Sequence, residues 1–482
     1  MEQFDAVIIG SGYGGAIPAA RLAEAGMRVL LLERGQRWTT SDLMQSDDPR
    51  YIAKVIDLVV TRAGVAFRTG SMVGGASVPM DGAHFRAPQK SFDVRAGDGR
   101  PYWPEGLSRN ALDPYYERVE RMLRVRQFAW SEIPKAGGLF AKMLDAAGAS
   151  CDRARLNYTD CKHCGFCAQG CVFDKKMSML HTYLPLAELH GAEIRPGCLV
   201  DHVEPERTGY VVRYTRAGSP VEVWGQRVFI AGGGVHTPAL LLRSKRYLPH
   251  LSSRVGEEFN NNGEHGFIGI LPPEFDDLSR YSCFMGSENS AMMSFHFFES
   301  NGFTLHPGGG LEPSILAASL AATDDPLVPK RAWGLEYKRF VEAVYPHRLI
   351  AFSTLGLADG HRAITIDSAG APNVTERDRT SYDAYLDRVD ALLADVSTKS
   401  GVKLLPVVPR KLSGTTSAHL LSACRMADAP ERGVVDANGH VFGHENLYVC
   451  DASAVPYALG VNPALTISAV AERTAERVVE RG

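Results

Sequence analysis

Apolar and polar positions along the chain fall into two patterns. Residues 4–10 read FDAVIIG, a short run that is almost wholly apolar, as in a strand buried on both faces. It passes into GSGYGGAIPAARLAEAG, where alanines and leucines recur at helical spacing until Gly26 stops the pattern. MRVLLLERG then reads as a second strand. Two further helices are predicted. One lies in YWPEGLSRNALDPYYERVERML (102–123), with Asp113 and Pro114 as N-cap and first helical residue. The other, TSYDAYLDRVDALLADVSTKSG (380–401), is amphipathic. No internal repeat and no low-complexity linker interrupts the chain, which predicts a composite fold.

The order strand, G-x-G-x-x-G, helix, strand, acid changes the picture from fold to ligand. Gly10, Gly12 and Gly15 allow a tight turn, close approach to a pyrophosphate, and close packing of helix on strand. The helix offers its N-terminal amides to the phosphates. Glu33, at the end of the second strand, is placed to accept from the ribose of an adenosine and would repel a 2′-phosphate, which argues against NADP. These residues do not separate FAD from NAD.

Composition adds bounds. The 482 residues carry a net charge of −3, with 45% hydrophobic residues and 47 glycines. That length allows two or three domains or one large enzyme. There is no basic stripe for nucleic acid, and no apolar run approaches the ~18 residues of a membrane span. A core strand beginning directly after MEQ leaves no room for a signal peptide, so a cytoplasmic location with reduced cysteines is expected.

Four segments together resemble the glucose–methanol–choline (GMC) oxidoreductases, in wording closest to their cholesterol-oxidase-like bacterial branch: the N-terminal site, RTGSMVGGASVPMDG near 70, VFIAGGGVHTPALLLRS at 228, and NLYVCDASAVPYALGVNPALTISAVAER at 446–473. The resemblance spans 5–476 and is poor over about 260–410. It implies an α/β fold: a composite, doubly wound, mostly parallel FAD-binding domain (1–259 and 405–482, with a cysteine-rich insertion near 151–185), and a substrate domain (260–404) with a mainly antiparallel sheet flanked by helices. It implies FAD, with Gly10, Gly12 and Gly15 on the pyrophosphate and Glu33 on the ribose. Val200 then meets the adenine, and Gly70, Gly74, Gly75 and Ser77 pass near the pyrophosphate and flavin. Asp451 and Ala452 contact the ribityl–phosphate region, and Asn462 and Pro463 lie beside the flavin ring, before a helix starting near Ala464. Val78, Pro79 and Met80 stand where relatives carry a polar residue, so that contact is not carried over.

The chemistry so implied is oxidation of a small-molecule alcohol, sugar-like or sterol-like, with oxygen or a redox partner protein as electron acceptor. The base should be neutral at working pH, which suits histidine. His419, in TTSAHLLSACRM, matches the family's catalytic histidine, and Asn462 its partner that holds the substrate oxygen. The family's H-P-x-G-x-C becomes HLLSAC, with Leu420 for proline and Ser422 for glycine, so a differently shaped loop is expected. His181, His265, His296, His306 and His361 read as structural or surface residues, and Glu299 as a solvated acid with a lesser claim to face the substrate. The alternative is a flavin-binding electron-transfer or structural protein without alcohol chemistry.

DCKHCGFCAQGC (160–171) stands apart. Cys161, Cys164, Cys167 and Cys171 have the C-x-x-C-x-x-C-x-x-x-C spacing that bacterial ferredoxins use for iron–sulfur clusters. Related GMC proteins carry similar stretches, some with a cluster, so a 3Fe–4S or 4Fe–4S cluster is the leading expectation. Zinc joined by His163 and a metal-free packed turn remain open. The other five cysteines, at 151, 198, 283, 424 and 450, read as buried residues.

Overall fold

In the computed structural model, the structure describes residues 1–481 except 47, 62–65, 284–285, 287–289, 309–315, 318–319, 322–325, 327, 330–332, 359, 361 and 409–415. His361 lies outside the described residues.

The apolar run at the N-terminus forms the strand Glu2–Ile9, whose inner residues are buried on both faces. It sits in the middle of a seven-stranded sheet in the order 193–195, 29–32, 2–9, 219–230, 209–216, 198–206, with 447–449 beside 219–230. Pairing is parallel from 193–195 through 219–230 and on to 447–449. It is antiparallel only in the meander 198–230. The long strand Ser219–Ile230 changes neighbour midway: its first half pairs with 209–216 and its end with 447–449. The C-terminus of the chain thereby joins the N-terminal sheet.

A second sheet is antiparallel, in the order 303–308, 349–356, 265–270, 403–406. The helix Thr380–Ser400, with Tyr382, Tyr385, Leu386, Val389, Leu393 and Val396 buried, covers it as the amphipathic pattern predicts. The helix Lys135–Ala146 belongs to the same core, although it lies well before residue 260.

One predicted boundary is wrong. The helix near 110 runs from Arg109 to Met122, capped by the Ser108 hydroxyl, which accepts from the Ala111 N–H at 3.2 Å. Pro114 lies inside it, and Asp113 pairs with Arg86 and Arg109 instead of capping. The serine five residues earlier offers a cap with no competing ion pair, and a proline near the helix start forfeits one backbone bond without breaking the turn. Among the described residues, no helix is long and apolar enough to cross a membrane.

Candidate active site

A cavity of about 920 Å³ lies between the two sheets and is lined from both. Its size falls at the upper end of ligand pockets, which run from about 300 to 1,000 Å³. Three helices start at its wall: Tyr13–Glu24 after Gly10 and Gly12, Gly233–Ser244 after Gly232, and Ala464–Glu480 after Pro463. Their free N–H groups and dipoles make this end favourable for an anion.

The three glycines of the N-terminal motif differ in what surrounds them. Gly10 has φ +102°, and a Cβ there would lie 2.3 Å from the Ala231 carbonyl oxygen. At Gly15 a Cβ would meet the Gly10 carbonyl oxygen at 1.8 Å, so only glycine lets this helix approach its strand. At Gly12 a Cβ would meet nothing within 4 Å, and the residue faces the cavity. Glu33 also lines the cavity; the Ser11 N–H and hydroxyl donate to one carboxylate oxygen (3.0 and 2.7 Å) and the Gly35 N–H to the other (2.9 Å).

Gly70, Gly75, Val200, Asp451, Ala452 and Pro463 line the same space. Gly74 and Ser77 lie behind it, where the Ser77 hydroxyl donates to the Gly74 carbonyl (2.6 Å) and accepts from the Met179 N–H (3.0 Å). The Asp451 carboxylate is used wholly within the protein. The Gly233 N–H and Thr237 hydroxyl donate to one oxygen, and the Ser453 N–H and hydroxyl to the other. Burial pushes its carboxyl above the usual carboxylate range.

Beside the third of these helix starts stands a chain of three side chains. His419 Nδ1 lies 3.0 Å from Glu264 Oε2, and His419 Nε2 lies 3.3 Å from Asn462 Nδ2. Glu264 also accepts from the Ser417 hydroxyl (2.7 Å) and the Ala418 N–H (3.2 Å). Burial opposes its charge, but His419 and these donors prevail and hold its carboxyl at about 2. Burial likewise disfavours imidazolium at His419, and the Glu264 carboxylate outweighs it, so the histidine titrates above its ordinary range. Asn462 is 2% exposed, and its Oδ1 has no hydrogen-bond partner. A buried amide oxygen without a partner, beside a cavity-lining histidine, is suited to a ligand hydroxyl.

Sequence reasoning missed Glu264, which follows NNNG in the poorly matching middle of the chain. It also missed His306, which lines the cavity with Nε2 3.3 Å from Asp81 Oδ2. His265 lines the cavity too. Glu299 is exposed and turned away on a short helical turn. The HLLSAC loop keeps a glycine-type backbone in spite of its substitutions. Ser422 has φ +74°, a region costly for a side chain, and its buried hydroxyl has no partner.

The four clustered cysteines are not gathered into a metal site. Among the described residues, no three His, Cys, Asp or Glu side chains are placed to hold a metal ion. Gly165 and Gly170 do make the expected bends, with φ +77° and +91°. Cys167 is buried in the turn Cys167–Gln169, and the Cys161 and Cys171 sulfurs accept from the backbone N–H groups of His163 and Lys175 (3.4 Å each). Burial, with the neighbouring Cys164 and Cys171 thiols adding to it, pushes the Cys161 thiol up to about 11. The iron–sulfur expectation is therefore unsupported, and zinc with it.

Comparison with known proteins agrees with this geometry. Two family profiles described as GMC oxidoreductase match residues 4–261 and 366–471. Cholesterol oxidase of Mycobacterium tuberculosis is 26% identical over 558 residues, covering 100% of this chain and 92% of that protein. Long-chain-alcohol oxidase of Arabidopsis thaliana is 26% identical over 514 residues, covering 97% of this chain and 67% of that protein. The solved structure of pyridoxine 4-oxidase from Mesorbium loti superposes with a TM-score of 0.66 over 98% of both chains at 17% identity, a likeness of fold. Over more than half its length, and with a glycine-lined cavity facing a histidine–asparagine pair, the chain belongs to the GMC oxidoreductase family, whose members are FAD-dependent alcohol oxidases and dehydrogenases.

Proposed function

We propose that this protein oxidises a small-molecule alcohol to the carbonyl with FAD as cofactor and His419 as base. The observation that carries this reading is the Glu264–His419–Asn462 chain beside a cavity whose wall also carries the N-terminal glycine turn and three helix N-termini. Glu264 stays a carboxylate and keeps the His419 proton on Nδ1. The Nε2 lone pair is then free to take the hydroxyl proton. The 3.3 Å contact between His419 and Asn462 is loose enough for an alcohol oxygen to take its place, donating to Nε2 and accepting from the Asn462 amide. Bound FAD supplies the acceptor for the hydride that leaves the carbinol carbon.

In this reading Gly10 and Gly12 hold the pyrophosphate, Gly15 lets the helix pack close enough to present them, Glu33 holds the ribose and Val200 the adenine. Gly70, Gly75, Asp451, Ala452 and Pro463 wall the rest, the aspartate through its backbone. Residues 1–259 and 405–482 bind the cofactor, and 260–404 cover the substrate. Oxygen is the electron acceptor in this reading, a choice supported by the oxidases among the relatives.

The test is anaerobic mixing of purified, flavin-loaded protein with alcohols. The alcohol should bleach the flavin absorption, and His419→Ala should slow bleaching by roughly 100- to 10,000-fold with flavin content retained. Bleaching by His419→Ala at the parental rate would overturn the assignment of the base.

A further inference from the structure

The second sheet presents an unexplained polar group to the same cavity. His306 and Ser353 are register partners on neighbouring strands, so their side chains leave the same face of the sheet, and both line the cavity. Asp81, from the glycine-rich segment near 70, meets His306 at 3.3 Å and lines the cavity as well. His306 is 6% exposed. Burial holds its pKa below the ordinary value, against the Asp81 charge, and it lines the same cavity as His419 and Glu264. Beside these side chains the wall is smooth: Gly308 and Ala351 are register partners on the same two strands, and Gly266 pairs with Ser353. A site for a monohydroxy apolar molecule has no need of a buried histidine held by an aspartate, with a serine beside it on the same wall, because each costs free energy when it faces apolar surface.

We propose that His306, Asp81 and Ser353 form a second polar subsite that binds a substrate hydroxyl other than the one oxidised. The substrate class is then alcohols with a second hydroxyl within a few bonds of the reacting carbon, sugar-like rather than monohydroxy sterol-like. The assignment rests on the alcohol-oxidising reading above. Asp81 accepts from the second hydroxyl, while His306 or Ser353 donates to it. The smooth wall formed by Gly266, Gly308 and Ala351 lets a ring lie against the sheet.

The experiment compares matched pairs with the flavin-loaded enzyme: cyclohexanol with trans-1,2-cyclohexanediol, and benzyl alcohol with 2-hydroxybenzyl alcohol. The ratio of kcat/KM, diol over monoalcohol, is measured in the parent, His306→Phe, His306→Gln and Asp81→Asn. In at least one pair the parent should favour the dihydroxy compound by tenfold or more, because a site built to bind a hydroxyl penalises its absence. His306→Phe should cut that ratio at least tenfold, mainly through KM, and His306→Gln should restore part of it. Should His306→Phe lose its flavin, Asp81→Asn carries the same comparison. Equal use of both members of every pair by the parent overturns the subsite, with the alcohol reading intact. An unchanged ratio in the variants, with both substrates slowed alike, overturns it in favour of a structural role. If no alcohol bleaches the flavin, the alcohol reading falls and the subsite with it.

Discussion

At the scale of residues, the decisive pair is 155 positions apart in sequence. His419 and Asn462 were legible because the segments around them resemble a known family. Glu264 was not, because nothing local marks it: its meaning comes from the strand that carries it to His419. His306 was read as an ordinary histidine for the same reason, since its neighbour Asp81 lies on a distant loop. The Glu264 carboxylate raises His419, and the base must be neutral to act. The acid limb of kcat/KM should therefore lie above the ordinary histidine value of ~6.5. With the carboxylate gone, Glu264→Gln should move that limb to lower pH and also lower the plateau, because the glutamine amide can satisfy Nδ1 in either tautomer. Stopped-flow bleaching across pH gives both quantities. A limb that stays in place would show that Glu264 does not set the protonation of His419.

At the scale of elements, the apolar pattern located the first strand and first helix, which are buried nearly all round, and the helix at 380–400, which buries one apolar face. Spacing served less well where side-chain direction decides. In DCKHCGFCAQGC the bends fall where glycines predict them, yet among the described residues the four thiols are not gathered as a metal site. Spacing sets how far a ligand can reach, not where it points. The segment NNNG shows the reverse case, a polar run whose role is packing. Asn262 Oδ1 accepts from the Leu459 and Gly460 N–H groups (2.8 and 3.0 Å), and its Nδ2 donates to the Val461 carbonyl (2.8 Å). This one amide shapes the loop that delivers Asn462, and Asn260 in turn accepts from the Asn262 N–H. Asn262→Ala would strand three buried backbone groups and should cost about 2–4 kcal/mol. Denaturant unfolding should show that loss. Flavin bleaching should slow as well, because Asn462 is no longer held; a variant as stable as the parent would mean that water replaces the amide.

At the scale of the whole molecule, the cavity is walled by both ends of the chain and by the second sheet between them. This explains why resemblance was strong at the termini and weak in the middle. On the proposed reading, the glycine motif and the C-terminal segment face a cofactor shared across the family, whereas the strands over 265–406 face the substrate. It also ties cofactor binding to global stability. A ligand bound only to the folded state stabilises it by about 2.7 kcal/mol at a hundredfold excess over Kd. Apoprotein should therefore unfold several degrees below the flavin-loaded form. The glycines allow this linkage to be separated from packing. Gly12 has φ −69° and ψ −164°, which alanine adopts freely, and its missing Cβ would touch no protein atom within 4 Å. Gly12→Ala should leave the apoprotein Tm near that of the parent and reduce or abolish the rise on adding FAD, because the methyl intrudes only on the ligand. Gly15→Ala would press into the Gly10 carbonyl oxygen and should lower the apoprotein Tm itself. Thermal unfolding of the three apoproteins with and without FAD distinguishes the two effects. An equal rise in the parent and in Gly12→Ala would place the pyrophosphate away from the N-terminal glycine turn.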